Sequence, residues 1–420
     1  MRRFKIVLGT TLLVFILLIV ATASKTTTSD PEVVILTLTP EQILVQQKEA
    51  KLYIHRQKEL NDAISAYFEK AIQAGDIVGA GVSIVKGDSI VTSEGFGKRS
   101  VNSKALVNGE TVFRLGSLSK GFAGVLAADL KAQGKIDWQD KITDYIPEFQ
   151  FGDKNNTADV KLMHILSHTS GTPYHSFTNL VEAGLPVSTI AKRFDEVKPH
   201  DKPGEQYSYQ NAMFSLCQEV VKKVTGNEVT TVLKNRFFKP LKMTTVSMDY
   251  DAIINNDNVA MPHSKGRKGW RTLPLKNRYY NAVVAGGIDA SSLDMAKWMR
   301  FLLGHNPEVL KMEAIEEVFK PFIELKDNNK YYQRWPGHVK SAYGFGWRIH
   351  EFQDVNTNEN SIIWHHGGSV NSYRNEIAIY PKSDLGICVL LNGNSKLART
   401  VIPDLHEIVK NIYNNTEASK

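Results

Sequence analysis

The sequence predicts an α+β fold: a mainly antiparallel sheet flanked by helices from the two termini, plus a helical subdomain. Three observations carry this. Strand-like runs cluster at both ends of the chain, "IVGAGVSIVKG" and "SIVTSEGFG" near the front, "YGFGWRIHEF", "SIIWHHGG", "RNEIAIYP" and "LGICVLLNG" near the end. The middle, about 113–305, reads mostly as helical patches broken by Gly, Pro and Asn. Helical periodicity precedes the first strands and follows the last. Strands grouped at the ends and helices grouped between them favour a segregated α+β arrangement.

Residues 1–23 read as a secretory leader. "MRRFK" is a basic start, "IVLGTTLLVFILLIV" is an uncharged and mostly apolar run, and Ala21-Thr22-Ala23 fits a small-x-small cleavage site. The run is short for a spanning helix and long for a signal core, so a cleaved signal and a retained anchor through residues 6–20 both stay open. In either case the positive end stays inside, and the body is expected periplasmic, or anchored on the outer side of the cytoplasmic membrane.

Residues 24–57 are expected to form a linker and a leading helix. The tether is "SKTTTSDPEVVILTLTP", and helix spacing of Leu60, Ile64, Phe68 and Ile72 follows, with Gly75 at the C-cap position. A Gly-Asp turn joins the first two strands. The body is expected over 58–412, closed by a helix at about 396–413, with 413–420 as a tail.

Composition excludes some functions. The 420 residues are 42% hydrophobic and 23% charged, with net charge +7. Arg2, Arg3 and Lys5 supply three of those charges, leaving a mild +4. No basic tract interleaves with aromatics, so no nucleic-acid partner is expected. Cys217 and Cys388 sit in apolar runs and read as buried free thiols. No histidine falls in an H-E-x-x-H pattern, and neither a P-loop nor a G-x-S-x-G elbow occurs. No metal and no cofactor is expected.

Three constellations carry chemistry. Ser117-Leu118-Ser119-Lys120 opens the apolar helix "FAGVLAADL". At i and i+3, Ser117 and Lys120 share a helix face. A shielded lysine loses proton affinity and can serve as the base that a serine nucleophile needs. In "YSYQNAMF", Tyr209 and Asn211 stand two apart before a helix. Tyr209 can relay a proton, and Asn211 can hold a substrate amide or orient the lysine. In "SIIWHHGGSVNSY", strand alternation puts Trp364, His366 and Gly368 on one face and Ile363, His365 and Gly367 on the other. Each motif alone also has an ordinary structural explanation: a Ser N-cap, an Asn cap beside a packed Tyr, a strand ending in a Gly bulge.

Together and in this order, the three motifs resemble the serine β-lactamase and penicillin-binding protein superfamily, in the branch of class C β-lactamases, DD-peptidases and related esterases. Ser117-x-x-Lys120, Tyr209-x-Asn211 and His366-x-Gly368 match its three motifs, and "LMHILSHTSGTP", "FFKPLKMTTVSM", "VAGGIDASSLDMAKWMRFLLG" and "YGFGW" match supporting segments. The resemblance spans about 58–412 and implies a β-lactamase/transpeptidase-like fold with the site between sheet and helices.

The resemblance also implies roles. Ser117 attacks a carbonyl to form an acyl-enzyme; Lys120 and Tyr209 share proton transfer. Asn211 holds the substrate amide. His366, Gly368 and Ser369 border the substrate, and the backbone N–H groups of Ser117 and Ser369 form the oxyanion hole. The class C third motif is Lys-Thr-Gly; His366-Gly367-Gly368 lacks that fixed cation at neutral pH, which counts against efficient antibiotic hydrolysis. His365-His366-Gly367 fits the pattern as well, so either histidine could face the site.

The expected activity is therefore that of an exported serine hydrolase acting on an amide or ester in a small molecule or peptide, with D-amino-acid peptides of peptidoglycan as leading substrates. A carboxylesterase or weak β-lactamase is one alternative, and a penicillin-binding sensor or scaffold that acylates once is another.

Overall fold

The computed structural model describes residues 39–326, 329–354 and 357–415. The leader and most of the tether lie outside these residues, as do the last five of the tail. Residues 1–50 and 51–420 form two units. The described part of the first is the start of helix α1, Pro40–Gln73. Thr39 caps it: Gln42 N–H donates to the Thr39 hydroxyl, and Thr39 N–H donates to the Gln42 side chain, with Pro40 at the first helical position. The remaining description concerns the second unit.

In α1, Leu60, Ile64, Phe68 and Ala71 are buried at helix spacing. Burial of each of the three larger side chains is worth roughly 1.5–3 kcal/mol. The helix stops at Gly75, whose φ of +69° suits glycine. Strands β1 (Gly79–Lys86) and β2 (Ser89–Gly97) follow, joined by a two-residue turn that starts at Gly87, φ +60°. β3 (Val112–Arg114) leads into a single 3-10 turn, Gly116–Leu118, and then into helix α2, Ser119–Ala132.

The mostly helical middle also holds two short ribbons. One pairs β4 (His263–Gly266) with β5 (Gly269–Thr272); the other pairs β3 with β6 (Asp289–Ser291). The last part supplies β7 (Ile323–Glu324), β8 (His338–Tyr343), β9 (Arg348–Gln353), β10 (Asn360–Val370), β11 (Tyr373–Tyr380) and β12 (Leu385–Leu391), then helix Val401–Asn415. The main sheet is antiparallel throughout, in the order 2-1-12-11-10-9-8-7. Thus β12 lies between β1 and β11, and the two ends of the chain close one sheet.

One strand assignment needs correction. "YGFGWRIHEF" reads as a single strand, but the chain turns at 344–347 and divides it between β8 and β9. Gly346 has φ +82°, and a Cβ on it would come within 2.4 Å of Lys120 O. The turn is pressed against the helix that carries the lysine.

The sheet has a core on each face. One holds Leu60, Ile64 and Phe68 with Leu405 and Val409 against Val82, Ile84 and Val389. The other holds Phe122, Trp298 and Met299 with the helical region. The site lies where α2, the helical region and β10 converge.

Candidate active site

The turn that carries Ser117 is held from both sides. Behind it, Arg114 is wholly buried; it donates to Lys276 O at 2.8 Å and Arg278 O at 2.6 Å and pairs with Asp289 at 3.3 Å. In front of it, β10 comes very close. Gly116 has φ +57°, and a Cβ there would meet the Ser369 backbone at 2.8 Å. A Cβ on Gly368 would lie 2.1 Å from Leu115 O. These two glycines let the strand and the turn touch backbone to backbone. Ser117 and Ser369 therefore lie side by side, as an oxyanion hole built from their N–H groups requires.

Lys120 is the second residue of α2, three positions after Ser117, and has no exposed surface. Its Nζ donates to Asn211 Oδ1 at 2.8 Å and to Ala285 O at 2.7 Å. Both partners are neutral. Keeping an ammonium buried costs several kcal/mol, and two neutral oxygens supply no opposite charge to offset it. Desolvation wins, and the Arg348 charge adds to it, so proton affinity falls well below the usual lysine range. A neutral amine spends both hydrogens on the two oxygens and keeps its lone pair for a proton.

Tyr209 lies with its ring centroid 4.8 Å from Lys120 Nζ. Burial pushes its phenol up to about 12, opposed by a hydrogen bond with the Ser117 hydroxyl. Tyr209 is thus in reach of both Ser117 and Lys120. The loop "LSHTSGTP" clamps this stretch: Ser208 N–H donates to His168 O at 2.8 Å, and Gln210 N–H donates to His168 Nδ1 at 3.2 Å. The His168 ring lies 4.2 Å from that of Tyr209. His168 takes φ +60°, rare for a residue with a side chain.

Asn211 is the first residue of helix Asn211–Thr225. Its Oδ1 is on Lys120 and its Nδ2 donates to Tyr279 Oη at 3.1 Å. Of the two roles open to it, the structure displays orientation of the lysine.

The two histidines part. His366 faces the α2 side, where Nδ1–H donates to Gly367 O at 2.8 Å and Nε2 accepts from Tyr343 Oη at 3.0 Å. Burial, then the Arg348 charge, lowers its proton affinity and keeps it neutral. His365 faces the opposite side, 2.8 Å from Glu376.

Ser117, Tyr209, Gly367 and Ser369 line a cavity of about 700 Å³. Lys120, Asn211, His366 and Gly368 are buried behind its surface. Its walls carry Tyr174, Tyr207, Tyr331, Tyr332, Arg348 and Arg374. Sequence reasoning missed these, as it missed His168. Arg348 stands out: its Nε and Nη1 are buried and lack a hydrogen-bond partner among the described residues, and its guanidinium lies 5.0 Å from the Tyr332 ring centroid. Arg374 instead pairs with Glu376 at 2.8 Å.

Comparison with known proteins bears on the family and the fold. The family model described as Beta-lactamase matches residues 64–408. Protein flp of Staphylococcus aureus (strain MRSA252) is 24% identical over 362 residues, covering 85% of this chain and 68% of that protein. Unguisins hydrolase ungD' of Aspergillus campestris is 25% identical over 348 residues, 80% of this chain and 62% of that protein. Among solved structures, the octameric penicillin-binding protein homologue from Pyrococcus abyssi shares the fold, with TM-score 0.69 and 22% identity over 82% of this chain and 77% of that one.

Proposed function

The chain belongs to the beta-lactamase family, and on that premise we propose that it is a serine hydrolase working through an acyl-enzyme. The observation that carries this is the wholly buried Lys120, hydrogen-bonded only to neutral oxygens and close to Tyr209. The name of the unguisins hydrolase supports a hydrolytic reaction.

The proposed steps are these. Ser117 Oγ bonds to the substrate carbonyl carbon while its proton passes to the Lys120–Tyr209 pair. The N–H groups of Ser117 and Ser369 stabilise the oxyanion. The carbonyl–leaving-group bond then breaks, and the leaving amine or alcohol takes the proton back. Water repeats the sequence on the ester to release the acid. Asn211 holds the lysine amine in place throughout.

The substrate is an amide or ester bearing a carboxylate, most suitably a D-amino-acid peptide of the cell wall. The unpartnered N–H groups of Arg348 in the cavity wall support an anionic group there. The neutral, buried His366 supports weak rather than efficient β-lactam hydrolysis. The basic and apolar start of the chain supports action outside the cytoplasm.

Intact-mass spectrometry after exposure to a fluorophosphonate or a penicillin tests the assignment. One adduct is expected, lost in Ser117→Ala; an adduct persisting in that variant refutes it. Steady turnover of a chromogenic ester supports the hydrolase, and a single stoichiometric burst replaces it by a sensor that stays acylated.

A further inference from the structure

Behind the cavity wall opposite Lys120 runs a chain of hydrogen bonds that the proposed reaction does not use. His338 Nε2 lies 2.7 Å from Ser341 Oγ, which lies 2.7 Å from His350 Nδ1. His350 Nε2 lies 3.0 Å from His365 Nδ1, and His365 Nε2 lies 2.8 Å from Glu376 Oε2. Ser341, His350, His365 and Glu376 are all buried, and His338 is half-buried. Tyr332 and Trp335 cover the histidine pair, with ring centroids 4.8 Å from His350 and 4.9 Å from His365.

With the three imidazoles kept neutral by burial, the proton order follows. Burial pushes the Glu376 carboxyl up to about 7, and above that pH it is a carboxylate that only accepts, so His365 donates through Nε2. Its Nδ1 then accepts from His350 Nε2–H. His350 Nδ1 accepts from the Ser341 hydroxyl, and Ser341 Oγ accepts from His338 Nε2–H. Every donor points towards Glu376, and every imidazole is neutral.

Glu376 also meets the cavity. Tyr331 Oη donates to its Oε2 at 2.7 Å, and Arg374 pairs with its Oε1 at 2.8 Å. Both partners line the cavity. Gly367, the cross-strand neighbour of Glu376, leaves room for the contact. A Cβ there would lie 2.8 Å from Tyr331 Oη and 2.9 Å from Glu376 Oε2. The middle glycine of His366-Gly367-Gly368 is thus explained by what occupies the space over it.

We propose that Glu376, held by the buried chain His338–Ser341–His350–His365, is a positioning residue that sets which anionic substrates the cavity accepts. It fixes Tyr331 and Arg374 on the wall and neutralises Arg374, so that a substrate carboxylate is met by Arg348 rather than by Arg374. The selected class is an ester or amide with one carboxylate near the reacting carbonyl; a second carboxylate placed at Arg374 finds that cation already paired. This rests on the serine hydrolase reading above.

The test compares wild type, Glu376→Gln and Tyr331→Phe on aryl esters carrying no, one or two carboxylates. In Glu376→Gln the preference for the doubly over the singly charged ester should rise about tenfold, through KM. An unmoved preference, or an equal loss on all three esters, overturns the proposal. Should Glu376→Gln fail to fold, Tyr331→Phe removes only one hydroxyl and should move the preference the same way by about threefold; no movement overturns the proposal.

Histidine tautomers read by ¹H–¹⁵N NMR give a second arm that needs no catalysis. His338, His350 and His365 should be neutral and protonated at Nε2. A charged His365, or one protonated at Nδ1, overturns the chain. If a fluorophosphonate fails to label Ser117, the hydrolase reading falls and the tautomers alone decide; if Ser117 labels and the charge preference stays put, only the present proposal falls.

Discussion

Lys120 Nζ donates to Asn211 Oδ1 at 2.8 Å with both side chains buried. This contact joins the first motif to the second and decides the state of the amine. An asparagine oxygen stabilises an N–H donor without supplying the negative charge that would hold the lysine protonated. The catalytic predictions start from this pairing.

Replacing the amine removes the base. Lys120→Ala should slow acylation of Ser117 by more than ~10²-fold. Stopped-flow acylation with a chromogenic ester measures it, and near-normal acylation removes Lys120 from that role.

The pH dependence has a stated sign. The Lys120 amine loses its proton well below 10.5, and the neutral form is the base. Acylation should therefore rise with pH through that lowered value and be level before pH 10. The Tyr209 phenol, pushed up to about 12, stays protonated across this range, so no alkaline fall from its ionisation is expected. A kcat/KM profile still climbing through 10.5 contradicts the assignment. Linkage gives the same group a stability effect: between the lowered value and 10.5 the unfolded chain binds the extra proton, so its contribution to stability grows with pH there.

Backbone proximity at the nucleophile predicts intolerance at Gly116. Gly116→Ala puts a Cβ 2.8 Å from the Ser369 backbone at φ +57°. The conformation alone costs about 1–2 kcal/mol, and the contact forces the turn and β10 apart. Thermal unfolding and Ser117 labelling should both decline. Unchanged labelling would mean that the close approach is not needed.

The cavity cation predicts a substrate effect. Arg348→Gln should raise KM for carboxylate-bearing esters by about tenfold or more and spare uncharged ones, because a charge-assisted hydrogen bond is worth roughly 1.5–3 kcal/mol. Equal effects on both ester classes would assign Arg348 to structure rather than to substrate.

Much of the site is legible in the sequence because its signals are local. Ser117 and Lys120 are three residues apart, and helix geometry brings such positions to one face. Alternation along β10 separates His365 from His366 for the same reason. What is missed depends on contacts across the fold. Arg348 belongs to a run that reads as one strand, and only the turn at 344–347, pressed on Lys120 O, reveals that it begins a new one beside the cavity. His168 looks like any loop histidine until Gln210 N–H donates to its ring.

The sequence by itself determined the antiparallel pattern at the two ends, the helical middle, the polar pair at the mouth of an apolar helix and the glycines after the histidines, since each is written in neighbouring residues and their periodicity. Tertiary structure alone decided that Lys120 meets Asn211 and Ala285, 91 and 165 residues away, that His366 meets Tyr343, and that His365 faces Glu376. The physical reason is that proton affinity and charge pairing depend on which groups share a desolvated space. Packing between distant segments makes that space, and no local period encodes it.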